Sequence, residues 1–383
     1  MRRSACAALI AVAAFAAWGT AAEADELIAT VARPTPVGSV AGHVVWSEYD
    51  PAPNAYFLTQ RFAGVTARLP VKPRAVAFDV DVGMSTGNDA VAAYSLCRQE
   101  PVPRISALRN SLTLMPQWST GRGCDPYMLN LRTNVETRVA GAGSAGASEF
   151  LPSIWRGRIA FARVYERRPG RAGKRAYLYV HTLTRGGAGR RVPAGPRSRG
   201  RFCAFPPPAC RRVVEPGPTA LDLSGRALAF TWDSTVPGGL SSEVYLDKLG
   251  SGRIARRAVA TGFSGDMQHR EFMAPQVDGE NLAWILSLAG DLTLSEVARY
   301  TISGGKRRVA RLQPVAAEPV LRPAIAGAVD GSTATYLASG LIPEDELPCT
   351  GPFGCIANPG CSEAQPCELR SATALKFTRP KKR

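Results

Sequence analysis

Short apolar runs recur along the chain, cut apart by glycine, proline and charged residues, and within most runs large and small side chains alternate. Period-two alternation over so few residues predicts half-buried β-strands, because successive side chains in a strand point to opposite faces. Residues 224–232 (SGRALAFTW) set the pattern: a turn at Gly225, then a strand ending at Trp232. Residues 244–249 (VYLDKL) form a second strand and a run from Arg256 (RRAV) a third.

The same order returns elsewhere. GENLAW ends at Trp284, with VARYTI and KRRVA behind it; GRIAF ends at Phe161, with AYLYV and RRVP behind it. GHVVW ends at Trp46, before AYFL and ARLP. A degenerate copy has AVAAY ending at Tyr94, YMLNL over residues 127–131 and TRV ending at Val139. A last copy has STATY ending at Tyr336 and a late strand, ATALKF, ending at Phe377. A further strand precedes each turn glycine: residues 152–157 (PSIWRG), 275–279 (PQVDG) and 323–327 (PAIAG) share a form, and residues 76–82 and 219–223 take the same place. The aromatic anchors at 46, 94, 161, 230, 284 and 336 are 48 to 69 residues apart.

A four-stranded unit repeated at such a period is the sequence mark of propeller blades. One small sheet cannot bury both faces, but a ring of sheets hides the aromatic and branched residues between neighbours. The expected architecture is all-β: a six-bladed β-propeller of four-stranded antiparallel blades. The sixth unit ends one strand short, and residues 27–31 (LIATV) are unassigned. They are expected to pair outside residues 374–377 and close the ring, removing an open sheet edge.

The repeats resemble the TolB-type propeller, a relative of WD-repeat propellers, in the order turn glycine, I-A-F strand, Y-x-x-D/L strand and R-x-L strand. Residues 224–257 carry the resemblance best, followed by 150–193 and 275–310. The usual S-P-D-G-K turn is eroded throughout, and no small N-terminal domain accompanies the repeats. The resemblance implies the fold and a protein-binding or scaffold style, without naming a partner.

Targeting and charge refine this picture. Arg2 and Arg3 precede an uncharged stretch, residues 4–22, and Ala22 and Ala24 bracket Glu23 in an A-x-A arrangement. This reads as a signal peptide over 1–24, a propeller over 25–380 and a basic tail over 381–383. The expected location is extracytoplasmic, secreted or held at the cell envelope, with no transmembrane segment after cleavage. Eight cysteines then remain, at 97, 124, 203, 210, 349, 355, 361 and 367. An even number in an exported chain suggests disulfides. Spacing favours Cys97–Cys124, Cys203–Cys210, Cys349–Cys355 and Cys361–Cys367. No C-x-x-C pair and only three histidines argue against zinc, and no cofactor or metal is expected.

The chain carries 47 Lys and Arg against 31 Asp and Glu. Residues 156–212 hold sixteen of the basic residues and one acid, Glu166. That stretch accounts for a net of +15, nearly the whole excess of +16. On one blade this makes a basic sector able to concentrate anions. Arg167, Arg168, Arg171, Lys174, Arg175, Arg197, Arg199 and Arg201 are the candidate contacts. The expected partner is an envelope protein or an anionic wall polymer rather than nucleic acid, since stacking aromatics are few, and the chain is expected to be a monomer.

Asp79 and Asp81 alternate with Phe78, Val80 and Val82, which would set both carboxylates on one face of an inner strand. They offer the alternative of a propeller-based hydrolase or lyase; hydrogen bonding to backbone is the plainer role. His43 and His181 fall on strands, and His269 is expected in a loop. The non-catalytic binding or scaffold role is the first expectation.

Overall fold

The computed structural model describes residues 25–100, 121–143, 146–165, 176–184, 189–192, 195, 197, 217–237, 239–249, 251, 254–263, 269–289, 294–312, 324–339, 361 and 366–380. They form an all-β propeller of four-stranded antiparallel blades. Among the described residues no helix is long and apolar enough to cross a membrane.

The chain starts with β1 (Glu26–Val31), which belongs to the last sheet. The first complete blade is β2 (Val37–Val40), β3 (His43–Asp50), β4 (Ala55–Phe62) and β5 (Val65–Arg68). Next come β6 (Asp81–Met84), β7 (Ala90–Gln99), β8 (Arg122–Asn130) and β9 (Glu136–Arg138). Then follow β10 (Ala147–Trp155), β11 (Arg158–Tyr165), β12 (Ala176–Thr182) and β13 (Arg190–Val192). β14 (Gly217–Ser224), β15 (Ala227–Val236), β16 (Gly239–Lys248) and β17 (Ile254–Phe263) make another blade. β18 (His269–Asp278), β19 (Asn281–Ala289), β20 (Leu294–Thr301) and β21 (Arg307–Arg311) make the next. β22 (Ala324–Asp330), β23 (Thr333–Ala338) and β24 (Cys367–Ala372) complete the chain.

Within each blade but the closing one, whose outermost strand is β1, the strands lie in chain order from the centre outward. The sets β6–β9 and β10–β13 join into one eight-stranded sheet through a single parallel pair, Met84 with Trp155. The first strand of each blade packs against the next around the centre, from β2 through β6, β10, β14, β18 and β22 back to β2.

Closure is by β1, which pairs antiparallel outside β24 in the sheet β1-β24-β23-β22. Its partner is Cys367–Ala372 and not residues 374–377, as the pattern ATALKF suggested. Ala374 has a φ of 51°, which turns the backbone out of the strand. The chain then crosses to the preceding blade, where Thr378 and Val309 exchange backbone hydrogen bonds of 2.9 Å. Asp25, just before β1, is held as well: the Tyr336 hydroxyl donates to its carboxylate at 2.5 Å and Arg370 to its carbonyl at 2.6 Å.

Each junction between blades has its own apolar core. Phe230, Trp232, Leu178 and Val192 fill one, Trp284, Val244 and Phe272 another, and Trp46, Ile285, Tyr336 and Leu369 contribute to the seam near the closure. All the aromatic anchors read from the sequence are buried on the second strands of their blades. Two sequence readings shift. Gly327 lies within β22, where a Cβ would meet Ile285 Cδ1 at 2.7 Å, and the hairpin glycine is Gly331 with a φ of 59°. His269 opens β18 rather than lying in a loop.

Four inner strands carry a β-bulge, near the middle of β10 and β18 and at the start of β14 and β22. In two of them the bulged pair ends in proline, Leu151-Pro152 and Ala274-Pro275, with φ of 51° at Leu151 and 50° at Ala274. Proline has no N–H to lose from the ladder, so a bulge suits it.

Candidate functional site: an acid-lined channel and an arginine edge

The inner strands enclose a central cavity of about 120 Å³. β6 supplies Asp81, β14 supplies Asp222 and β18 supplies Glu271, against an apolar wall that includes Val37, Met273 and Ile325. Withdrawal from water pushes the Asp81 carboxyl up to about 7, partly opposed by bonds from the Ser153 hydroxyl and the Val82 N–H. Burial also raises Asp222 well above its ordinary range, and the nearby Asp81 charge adds to this. Burial alone raises Glu271. Burial raises a carboxyl in this way because its charged form loses hydration.

These groups link one inner strand to the next. Ser153 Oγ accepts from Leu223 N at 2.8 Å, and Asp222 Oδ2 accepts from Val277 N at 2.5 Å. Asp330 accepts from the backbone of Ala41 and Gly42 across the closing seam. Elsewhere glycine does the joining. A Cβ on Gly38 would meet Val82 N at 2.8 Å, and one on Gly83 would meet Ile154 O at 1.8 Å.

Asp79 lies before β6, which begins at Asp81, and both residues line the cavity. The Asp79 carboxylate accepts from Ser95 N at 2.8 Å, Ser95 Oγ at 2.7 Å and Leu151 N at 2.7 Å, with Arg74 at 4.0 Å. It is therefore engaged in holding β7 and β10 together. Among the described residues, no three His, Cys, Asp or Glu side chains are grouped to hold a metal ion. Gly141, Gly143 and Gly146 spell G-x-G-x-x-G, yet they lead into strand β10. A phosphate loop needs a helix N-terminus there.

The outer strands differ in chemistry. They carry arginine after arginine: Arg68 on β5, Arg138 on β9, Arg190 and Arg191 on β13, Arg256 and Arg257 on β17, and Arg307, Arg308 and Arg311 on β21. Charges on an edge strand block edge-to-edge pairing with other chains. Some have acid neighbours: Arg68 with Asp50 at 2.9 Å, Arg138 with Asp125 at 2.7 Å and Arg256 with Glu243 at 3.5 Å.

The β10–β13 blade and the segment after it present exposed cations. Arg190, Arg191 and Arg197 are exposed, as is Arg156 at the hairpin. Arg190 comes no closer than 3.8 Å to Asp247, and Arg191 lies over the Tyr177 ring at 4.0 Å. Arg167, Arg168, Arg171, Lys174, Arg175, Arg199 and Arg201 lie outside the described residues. Within the blade Arg163 is fully engaged, donating to Glu149 at 2.6 Å and to Ala142 O at 2.5 Å.

Of the cysteines, Cys97 and Cys124 face each other across β7 and β8 in a disulfide, and Cys361 is bonded to Cys367. Cys203, Cys210, Cys349 and Cys355 lie outside the described residues. The two bonds point to an oxidising, extracytoplasmic environment. Sequence reasoning missed Asp222 and Glu271, and it missed the exposed Tyr165 beside Arg191. An aspartate inside the apolar run LDLS and the alternation Phe161, Arg163, Tyr165 were the available signals.

No protein-family model and no curated protein matches the chain. Among solved structures it is similar to TolB from Acinetobacter baumannii, with 13% identity and a TM-score of 0.43 over 88% of this chain and 65% of that one. The chain thus spans just under two thirds of that protein's length. The propeller domain of the Trilobed protease from Pyrococcus furiosus gives 7% identity and a TM-score of 0.40, over 92% of this chain and 81% of that one. A PL25 ulvan lyase gives 8% identity and a TM-score of 0.43, over 84% and 80%. All three likenesses are distant.

Proposed function

We propose that this chain is an exported, non-catalytic binding module of the cell envelope. Its outer β10–β13 edge engages an anionic polymer or an acidic protein surface. Counting the eight-stranded sheet as two blades, joined by one parallel pair, gives a six-bladed ring. The observation that carries the reading is the location of charge. Residues 156–212 hold a net of +15, and within them Arg190 and Arg191 on β13 and the following Arg197 are exposed. Clustered cations of this kind draw in anions and lose their reach as salt shortens the Debye length to about 8 Å at physiological ionic strength.

The test is retention on isolated envelope polymer under a salt gradient. The wild-type chain should elute at high salt. A variant with Arg190→Glu, Arg191→Glu and Arg197→Glu should elute far earlier, and reversal at Arg167, Arg168, Arg171, Lys174, Arg175, Arg199 and Arg201 should abolish retention. Retention indifferent to salt and to both sets would remove the proposal.

A hydrolase or lyase is the second reading, favoured by one feature: Asp81, pushed up to about 7, can exchange a proton near neutrality beside Asp222. Chain shortening of a polyuronate that stops with Asp81→Asn would support it, and an intact polymer would dismiss it.

A further inference from the structure

Resting on the reading that the β10–β13 edge binds an anion, we propose that the ligand is an acidic polysaccharide. Tyr165, Tyr177 and Arg191 form a subsite for one of its charged sugar rings.

The register builds this surface. Phe161 pairs with Tyr179 and Tyr179 with Arg191, while Arg163 pairs with Tyr177. Tyr165 follows Arg163 by two residues, so all six side chains share one face of the blade. The lower part of that face is used up. Phe161 and Tyr179 are buried against Val139 and Ala142, and Arg163 is bound to Glu149.

The upper part is open. Tyr165 is 44% exposed, Tyr177 is half-buried and Arg191 is exposed. Among the described residues no carboxylate lies in ion-pair range of Arg191; its guanidinium rests over Tyr177 at 4.0 Å. The Tyr165 and Tyr179 hydroxyls are hydrogen-bonded at 2.8 Å, which fixes the Tyr165 ring before any ligand arrives. A preset tyrosine gives contact area at low entropic cost.

The chemistry selects among anions. An inorganic anion has no use for an exposed ring. A lipid surface would need a broad apolar face to insert, and this patch offers two tyrosine rings of which only Tyr165 is exposed. A nucleic-acid strand needs successive ring faces on which neighbouring bases can stack together. The Tyr165 and Tyr177 rings instead meet edge to face, 67° apart with centroids at 5.9 Å. A puckered sugar can lie on the single Tyr165 face while its carboxylate or sulfate meets Arg191, whose planar fork suits such groups.

The test measures affinity of the full chain for three probes: polygalacturonate, polyacrylate (a carboxylate polymer without rings) and oligo(dT). Tyr165→Ala should weaken polygalacturonate binding about tenfold and leave polyacrylate unchanged. Tyr165→Phe keeps the ring but gives up the bond to Tyr179, and should retain most of the polygalacturonate binding that Tyr165→Ala loses, which separates loss of the ring from loss of the fold. Arg191→Lys keeps the charge and should weaken polygalacturonate binding more than polyacrylate binding. Equal loss on both polymers with Tyr165→Ala, no loss on either, or tighter binding of oligo(dT) than of polygalacturonate would overturn the inference. If the wild type binds none of the probes, the anion-binding reading itself fails; if it binds both carboxylate polymers and Tyr165→Ala changes neither, only the sugar assignment fails.

Discussion

The channel and the β10–β13 edge are both rich in ionisable groups, and they use them in opposite ways. In the channel, Asp222 and Ser153 accept backbone N–H groups from the neighbouring inner strand, and Gly38 and Gly83 let the backbones meet directly. Its carboxyls are raised by burial and serve the ring. At the edge, Arg190 has one neighbour at 3.8 Å and Arg191 has a ring instead of a carboxylate. A buried polar group that loses its partner costs free energy, whereas an exposed arginine costs the fold almost nothing. The difference teaches that charge at the edge is free for a partner while charge at the centre is spent on assembly.

Substitutions can break this contrast, and the largest effect belongs at the centre. Gly83→Ala puts a methyl 1.8 Å from Ile154 O, a backbone atom that cannot step aside. It should cost more than about 4 kcal/mol in urea unfolding, the range of severe core lesions. Asp79→Ala comes next. It strands the N–H groups of Ser95 and Leu151 and leaves Arg74 without this carboxylate, and should cost about 3 to 5 kcal/mol.

Acidity sharpens the contrast further. Asp81 is raised from 3.8 to about 7 in the folded chain. The folded state therefore holds a proton that the unfolded state has released. Its contribution is present in full below pH 4 and is lost as pH rises through about 7. Stability measured by thermal melts should fall between about pH 4 and pH 7, with a slope of at most about 1.4 kcal/mol per pH unit from this group. Asp81→Asn should flatten that interval. Asp222 and Glu271, also raised by burial, add to the fall with rising pH.

The smallest effect on stability belongs to the edge. Arg190→Glu with Arg191→Glu should change the unfolding midpoint by no more than about 0.5 kcal/mol, the usual range for surface sites. The same pair should shift elution from an anionic polymer strongly. A large stability loss there would erase the distinction between the two regions.

Much of the architecture was legible because burial imposes a repeat. Trp46, Phe161, Phe230, Trp284 and Tyr336 had to recur at one place in each unit to fill the gap between sheets. The need for a closing strand was equally readable, since the last unit ran short. Its partner was not. In CELRSA the buried Cys367 and Leu369 alternate with Glu368 and Arg370, a weaker signal than ALKF, and the φ of 51° at Ala374 that ends the strand leaves no trace in composition. Gly327 and Gly331 look alike in sequence, and only the approach of Ile285 tells them apart. The channel acids come from β6, β14 and β18, far apart in the chain, so their meeting follows from closure of the ring rather than from any local motif.

The contrast between centre and edge is tested most directly by hydrogen exchange of the full chain with and without polygalacturonate. The account predicts slower exchange on addition of polymer in Arg158–Tyr165, Ala176–Thr182 and Arg190–Val192, and unchanged exchange across β6, β14 and β18. Protection concentrated in those channel strands, with the arginine-bearing edge unaffected, would contradict it.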